Sequence, residues 1–143
     1  MRRLASVLFL LALASCARPI GPQASNAWAR DTVGRTANAA VFMTITSDTE
    51  DMLVGASSKV ANKTDLMTMG GGSNAMEMTY VDGVFIHPGK PASLSPTGLH
   101  VWLDGLKAPL KTGQTFQLTL KFERAGQRRV TVSVVAPAAP SPM

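Results

Sequence analysis

The sequence predicts an all-β domain, an antiparallel sandwich or small barrel. Three observations lead there. Short β-branched and aromatic runs recur, with turn residues roughly every ten positions. Phe116, Leu118, Leu120 and Phe122 alternate with Gln117, Thr119 and Lys121, as a strand with one buried face requires. No stretch sustains a helical period with caps at its ends. The chain has 143 residues, 45% hydrophobic and 16% charged, which suits a single domain with a real core. That composition excludes disorder of the whole chain.

Residues 1–15 read as an export signal. Arg2 and Arg3 form its positive start, and residues 4–13 form an apolar stretch too short to span a membrane. Two cleavage patterns overlap. Ala12-Leu13-Ala14 fits ordinary signal peptidase. Leu13-Ala14-Ser15-Cys16 resembles a bacterial lipobox, in which Cys16 becomes the lipidated first residue. Cys16 is the only cysteine and stands where a lipobox needs it. The expectation is a periplasmic protein held on a bacterial membrane by lipid on Cys16; the alternative is a soluble periplasmic or secreted protein. Several acyl chains on one residue anchor stably, whereas one is marginal. With a single cysteine, the domain has no internal disulfide and depends on its core.

Beyond the leader, 16–27 reads as a tether carrying Pro19, Gly21 and Pro22. The domain is expected over 28–135. Residues 39–46 are β-branched and aromatic with partial alternation, a strand. A polar turn at 47–51 leads to a short apolar run at 52–56. Segments 65–69 and 76–81 flank a glycine break, and 84–86 ends at the turn His87-Pro88-Gly89. Residues 99–103, 113–122 and 129–135 complete the strands, the last with Val130, Val132 and Val134 on one face. Three prolines mark 136–143 as a flexible tail. Without Arg2 and Arg3, 12 basic side chains stand against 9 acidic ones. Only Arg128 and Arg129 adjoin, and no basic stripe with interleaved aromatics appears, so no nucleic-acid partner is expected.

The chemistry concentrates in Met67-Thr68-Met69, the Gly70-Gly71-Gly72 break, and Met76-Glu77-Met78. Methionine is ordinarily a core gap-filler. Here four sulfurs flank a polar, glycine-rich turn. Thioether is a soft, neutral donor, and soft donors select Cu(I). A symmetric hairpin would pair Met67 with Met78 and Met69 with Met76, all on one face, with Thr68 and Glu77 on the other. A slip of one residue would scatter them. In Leu99-His100-Val101-Trp102-Leu103, the leucines and valine form the core face. His100 and Trp102 share the opposite side. His87 is expected in a solvated turn. No nucleophile elbow or zinc motif occurs, so an enzyme is not expected.

Trp28-Ala29-Arg30, the stretch Ala40 to Ile45, Leu53 to Ser58, Gly98-Leu99-His100, Gly105-Leu106-Lys107, Pro109-Leu110-Lys111 and Leu118 to Glu123 resemble the PCuAC family of periplasmic copper chaperones. The resemblance spans nearly the whole exported domain. It implies a cupredoxin-like antiparallel β-sandwich, a Greek-key barrel, that binds Cu(I) and passes it toward the CuA centre of cytochrome c oxidase. The implied partner is a copper-accepting protein, an oxidase subunit or another copper chaperone. The family's metal motif is His or Met, ten residues, Met, twenty-one residues, His, one residue, Met. Met67, Met78 and His100 fill the first three positions. Trp102 stands where the fourth methionine belongs. On this pattern Met67, Met78 and His100 are the ligands, with Trp102 capping the ion by a cation–π contact and Met69 or Met76 as auxiliary sulfurs. Neutral thioethers need no deprotonation and form no disulfides, and a site without thiolate suits release. Two alternatives share the fold: a copper-buffering or resistance lipoprotein, and an interaction module that lost its metal when Trp102 replaced methionine.

Overall fold

A computed structural model describes residues 20–70 and 77–142; the leader, Cys16 and Met76 lie outside the described residues. Ten strands and no helix occur among them: β1 (Gln23–Arg30), β2 (Ala39–Thr46), β3 (Asp51–Ser57), β4 (Ala61–Met69), β5 (Met78–Tyr80), β6 (Val84–Ile86), β7 (Ala92–Leu94), β8 (His100–Leu106), β9 (Thr115–Phe122) and β10 (Gly126–Val135). The hydrogen-bonded order is β5-β4-β8-β2-β1-β10-β9-β3-β6, with β7 also on β2. β1 joins β10 in parallel; the other pairings are antiparallel.

The sheet folds back on itself, because alternating residues from both halves share one core. Val41, Val101 and Leu103 from the β2–β8 side meet Leu53, Leu118, Leu120 and Val132 from the other, all fully buried. Residues 116, 118, 120 and 122 are buried, as their alternation predicts. Burial of such side chains stabilises by about 1.5–3 kcal/mol each before entropy is set against it.

Four departures from the expected layout are found. Residues 23–27, expected in the tether, belong to β1: Gln23, Ala24 and Ser25 pair with Thr46, Ile45 and Thr44. A bulge between Ser25 and Trp28, with Asn26 at φ 52°, breaks the alternation that would have marked the strand. β4 starts at Ala61, four residues early, its polar Asn62 and Lys63 facing solvent. β7 was not foreseen; three residues are too few for a period. The C-terminal segment, expected to fray, is tied down: Arg30 Nη1 donates to the carbonyls of Pro137 and Ala139, both at 2.8 Å.

Candidate metal centre

His100 opens β8, and the alternation that sends Val101 and Leu103 inward turns His100 to the outer face. That face is not all exposed. Trp28, Phe42, Met67 and His100 are buried there, yet Trp28, Phe42 and Met67 are not part of the main core. Cross-strand register explains the grouping. Met67 stands directly opposite His100 on one side and Tyr80 on the other. Phe42 packs edge-on to His100, with ring centroids 6.1 Å apart, and Trp28 lies against Phe42 at 4.7 Å. A row of side chains thus crosses five strands: Tyr80, Met67, His100, Phe42, Trp28.

The imidazole is only 3% exposed. Its Nδ1 lies 3.0 Å from the Gly98 carbonyl, which can only accept, so Nδ1 carries the proton. Nε2 is left as a lone-pair donor. It is buried and finds no hydrogen-bond partner among the described residues. A buried acceptor without a partner is uncommon and destabilising by about 1–3 kcal/mol. A metal-ligating histidine is held in this way, its other nitrogen donating to a carbonyl that fixes ring and tautomer. Among the described residues, no three His, Cys, Asp or Glu side chains gather to hold an ion. Met67, directly across from His100 and buried on the same face, is the nearest residue in register that carries a soft sulfur.

The hairpin register is two residues from the symmetric expectation. Met67 pairs with Tyr80, and Met69 with Met78. The expected Met67–Met78 pairing is therefore corrected, and Met76 falls outside the described residues. A slip of two keeps every side chain on its face, so parity could not distinguish the two registers. Gly70 N–H to Glu77 O at 3.0 Å and Val81 N–H to Leu66 O at 3.0 Å lock the register found. Met67 is 5% exposed, Met69 half-buried and Met78 40% exposed.

Trp102 is half-buried on the same face, its ring 6.2 Å from that of His100 at 69°. It pairs with Asp65, whose carboxylate is drawn away by Lys63 at 2.9 Å. That hydrogen-bonded ion pair raises the Lys63 ammonium above its usual range. Lys63 also lies 5.5 Å from the Tyr80 ring. His87 is exposed and stacks on Phe85 at 6.4 Å, on a different strand pair from Met67 and His100. Sequence reasoning assigned no role to Phe42, Tyr80 or the Gly98 carbonyl. Only register brings them to the site.

A family model described as "Putative lipoprotein LpqE-like" matches residues 23–134. The chain belongs to this LpqE-like family. It is 32% identical over 117 residues to "Putative lipoprotein Lxx21020" of Leifsonia xyli subsp. xyli, covering 80% of this chain and 69% of that one. Among solved structures, the apo PCuAC domain from PmoF1 superposes with a TM-score of 0.70 at 24% identity, over 82% of this chain and 97% of that one, a likeness of fold. The Cu(I) form of DR1885 from Deinococcus radiodurans superposes with a TM-score of 0.62 at 31% identity, over 86% and 83%. The all-β, cupredoxin-like architecture expected from the sequence is thereby shown.

Proposed function

We propose that this chain is an exported lipoprotein that binds Cu(I) through Met67, Met78 and His100, flanked by Trp102, and delivers it to a copper-accepting protein. One observation carries the reading: the buried, unpartnered Nε2 of His100, held as a lone-pair donor on the face that bears Met67. Two thioethers and a neutral imidazole leave the single charge of the ion uncompensated and favour Cu(I) over Cu(II). The Cu(I)-bound DR1885 structure supports copper as the cargo. The resemblance to PCuAC proteins supports an acceptor such as the CuA centre of cytochrome c oxidase. The family and relative names support lipid attachment, for which Cys16 is the candidate.

Anaerobic Cu(I) titration against a competing chelator tests the site. The wild type is expected to take up one equivalent. His100→Ala and Met78→Leu are expected to weaken binding by about tenfold or more. A wild type that competes for no Cu(I) refutes the reading and leaves an interaction module. A wild type that binds but transfers to no purified CuA domain leaves a copper buffer.

A further inference from the structure

Cationic side chains that are scattered in the sequence are gathered by the fold. Beyond Asp104 the chain carries six Lys and Arg side chains and a single acid, Glu123. Three cations from separate segments line one cleft: Lys59 between β3 and β4, Lys107 just after β8, and Arg129 on β10. Register shows how its floor is built. Ser57 stands opposite Thr119, and Thr119 opposite Arg129, a row across three strands. The alternation that buries Leu118 and Leu120 turns Gln117 and Thr119 outward to the cleft. Lys107 N–H donates to the Val60 carbonyl at 2.9 Å, which holds the two lysine-bearing segments side by side. No carboxylate lines the cleft, and among the described residues none of its three cations forms an ion pair. Like charges held together without a counter-charge raise the local potential and draw in anions.

Size and surroundings define the anion. The cleft measures about 660 Å³, the scale of pockets that hold ligands of many groups, not one small oxyanion. Lys59, Val60 and Lys107 also border a trough of about 450 Å³ whose other walls include Ala108, Pro109, Leu110 and Phe116. Cationic and apolar ground are therefore continuous, which suits a peptide with an apolar side chain between carboxylates. A lipid surface fits less well. Leu106 N–H donates to the Ala37 carbonyl at 2.6 Å, which sets Lys107 beside the start of β2. The chain enters the domain at the other end of β2, where the Ile20 carbonyl accepts from Asp48 N–H at 3.0 Å. The eight residues of β2, roughly 25 Å, separate these two ends. An anchor ahead of Ile20 leaves the cleft on the side of the domain away from its own membrane. Lys107 and His100 lie at opposite ends of β8, so an occupant of the cleft leaves the candidate metal centre free.

We infer that this cleft docks an acidic segment of a partner protein, with carboxylates on Lys59, Lys107 and Arg129 and an apolar side chain in the trough. The test titrates the isotope-labelled full chain at low salt with an end-blocked Glu-Glu-Leu-Glu-Glu peptide and follows the backbone amides by NMR. Shifts are expected to saturate at Lys59, Val60, Lys107, Thr119 and Arg129, and binding to weaken as added salt screens the charges. Lys59→Gln combined with Lys107→Gln is expected to weaken binding by about fivefold or more. Lys90→Gln combined with Arg124→Gln removes the same charge elsewhere and is expected to keep the wild-type affinity. Equal weakening in both double variants overturns the inference, as do shifts that map outside the cleft or no shifts at all. Inorganic phosphate that saturates the same amides at the concentration of the peptide overturns it in favour of a small-anion site. Phosphatidylglycerol vesicles that capture the chain through Lys59 and Lys107, with the peptide inert, overturn it in favour of a membrane surface. Shifts at these amides that depend on protein concentration without peptide seat a second copy in the cleft and overturn it as well.

Discussion

Replacing His100 with leucine should separate stability from metal binding. The exchange nearly conserves volume at a site 3% exposed. It removes the buried Nε2 that has no partner, whose desolvation is destabilising by about 1–3 kcal/mol. It also removes the Nδ1–H bond to Gly98, which stabilises by about 0.5–1.5 kcal/mol. The Gly98 carbonyl is not orphaned, because it still accepts from Met69 N–H at 3.2 Å. Packing against Phe42 and Trp102 is kept in part, since leucine still meets both rings. The balance centres on a gain of about 1 kcal/mol for the apo protein, or about 3–5 °C in Tm for a domain of this size. Few buried histidines can be lost without harm; on the proposed reading this one can, because its cost is incurred for a ligand. Chemical denaturation with and without chelator-buffered Cu(I) measures both halves. At free Cu(I) a hundredfold above the wild-type Kd, the wild type should gain about 2.7 kcal/mol and His100→Leu, binding about tenfold or more weaker, about 1.4 kcal/mol or less. A loss above about 2 kcal/mol in the apo variant means that Nε2 is satisfied in the native state. An undiminished copper-induced gain means that His100 is not a ligand.

Three further outcomes follow from the scaffold. Asp51 is buried at the start of β3. Burial pushes its carboxyl up, but N–H bonds from Arg124, Met52 and Ala125 outweigh this and hold it below the usual carboxylate range. A lowered folded-state value stabilises above the unfolded range, near about 3.9, and is lost as pH falls through the folded value. Asp51→Asn should therefore be less stable at pH 7 and show a flatter acid limb; parallel limbs in urea melts from pH 7 to pH 2 contradict the assignment. Leu118, fully buried, should lose about 2–5 kcal/mol as alanine. Phe85→Ala, at 63% exposure, should stay within about 0.5 kcal/mol in the same denaturant series.

The fold was legible wherever one face is apolar and the other polar. β9 declared itself through four alternating side chains, and Val101 and Leu103 marked the inner face of β8 correctly. The start of β1 was illegible because a bulge at Asn26 disrupts its alternation. The hairpin register was misjudged by two because every methionine keeps its face under that shift, so hydrophobic pattern carries no information about it. What chose the register is backbone bonding at Gly70 and Val81, together with Tyr80 settling by Lys63. For the site, the methionine cluster pointed to soft-metal chemistry, and the motif of the family the chain resembles nominated Met67, Met78 and His100. That Met69 faces Met78 while Trp102 lies across the row is a long-range fact, available only once β4, β5 and β8 are laid side by side.

β5 has three residues and ends the order of strands. Met67 and His100 ride on longer strands with neighbours on both sides, whereas Met78 belongs to a rim. Peeling that rim breaks few bonds, and the least protected segments of a protein open first. On the reading proposed above, Met78 swings out while Met67 and His100 stay fixed. On the proposed reading, the outermost strand is the door by which a docking protein exchanges its own ligands, one at a time, with the fold intact.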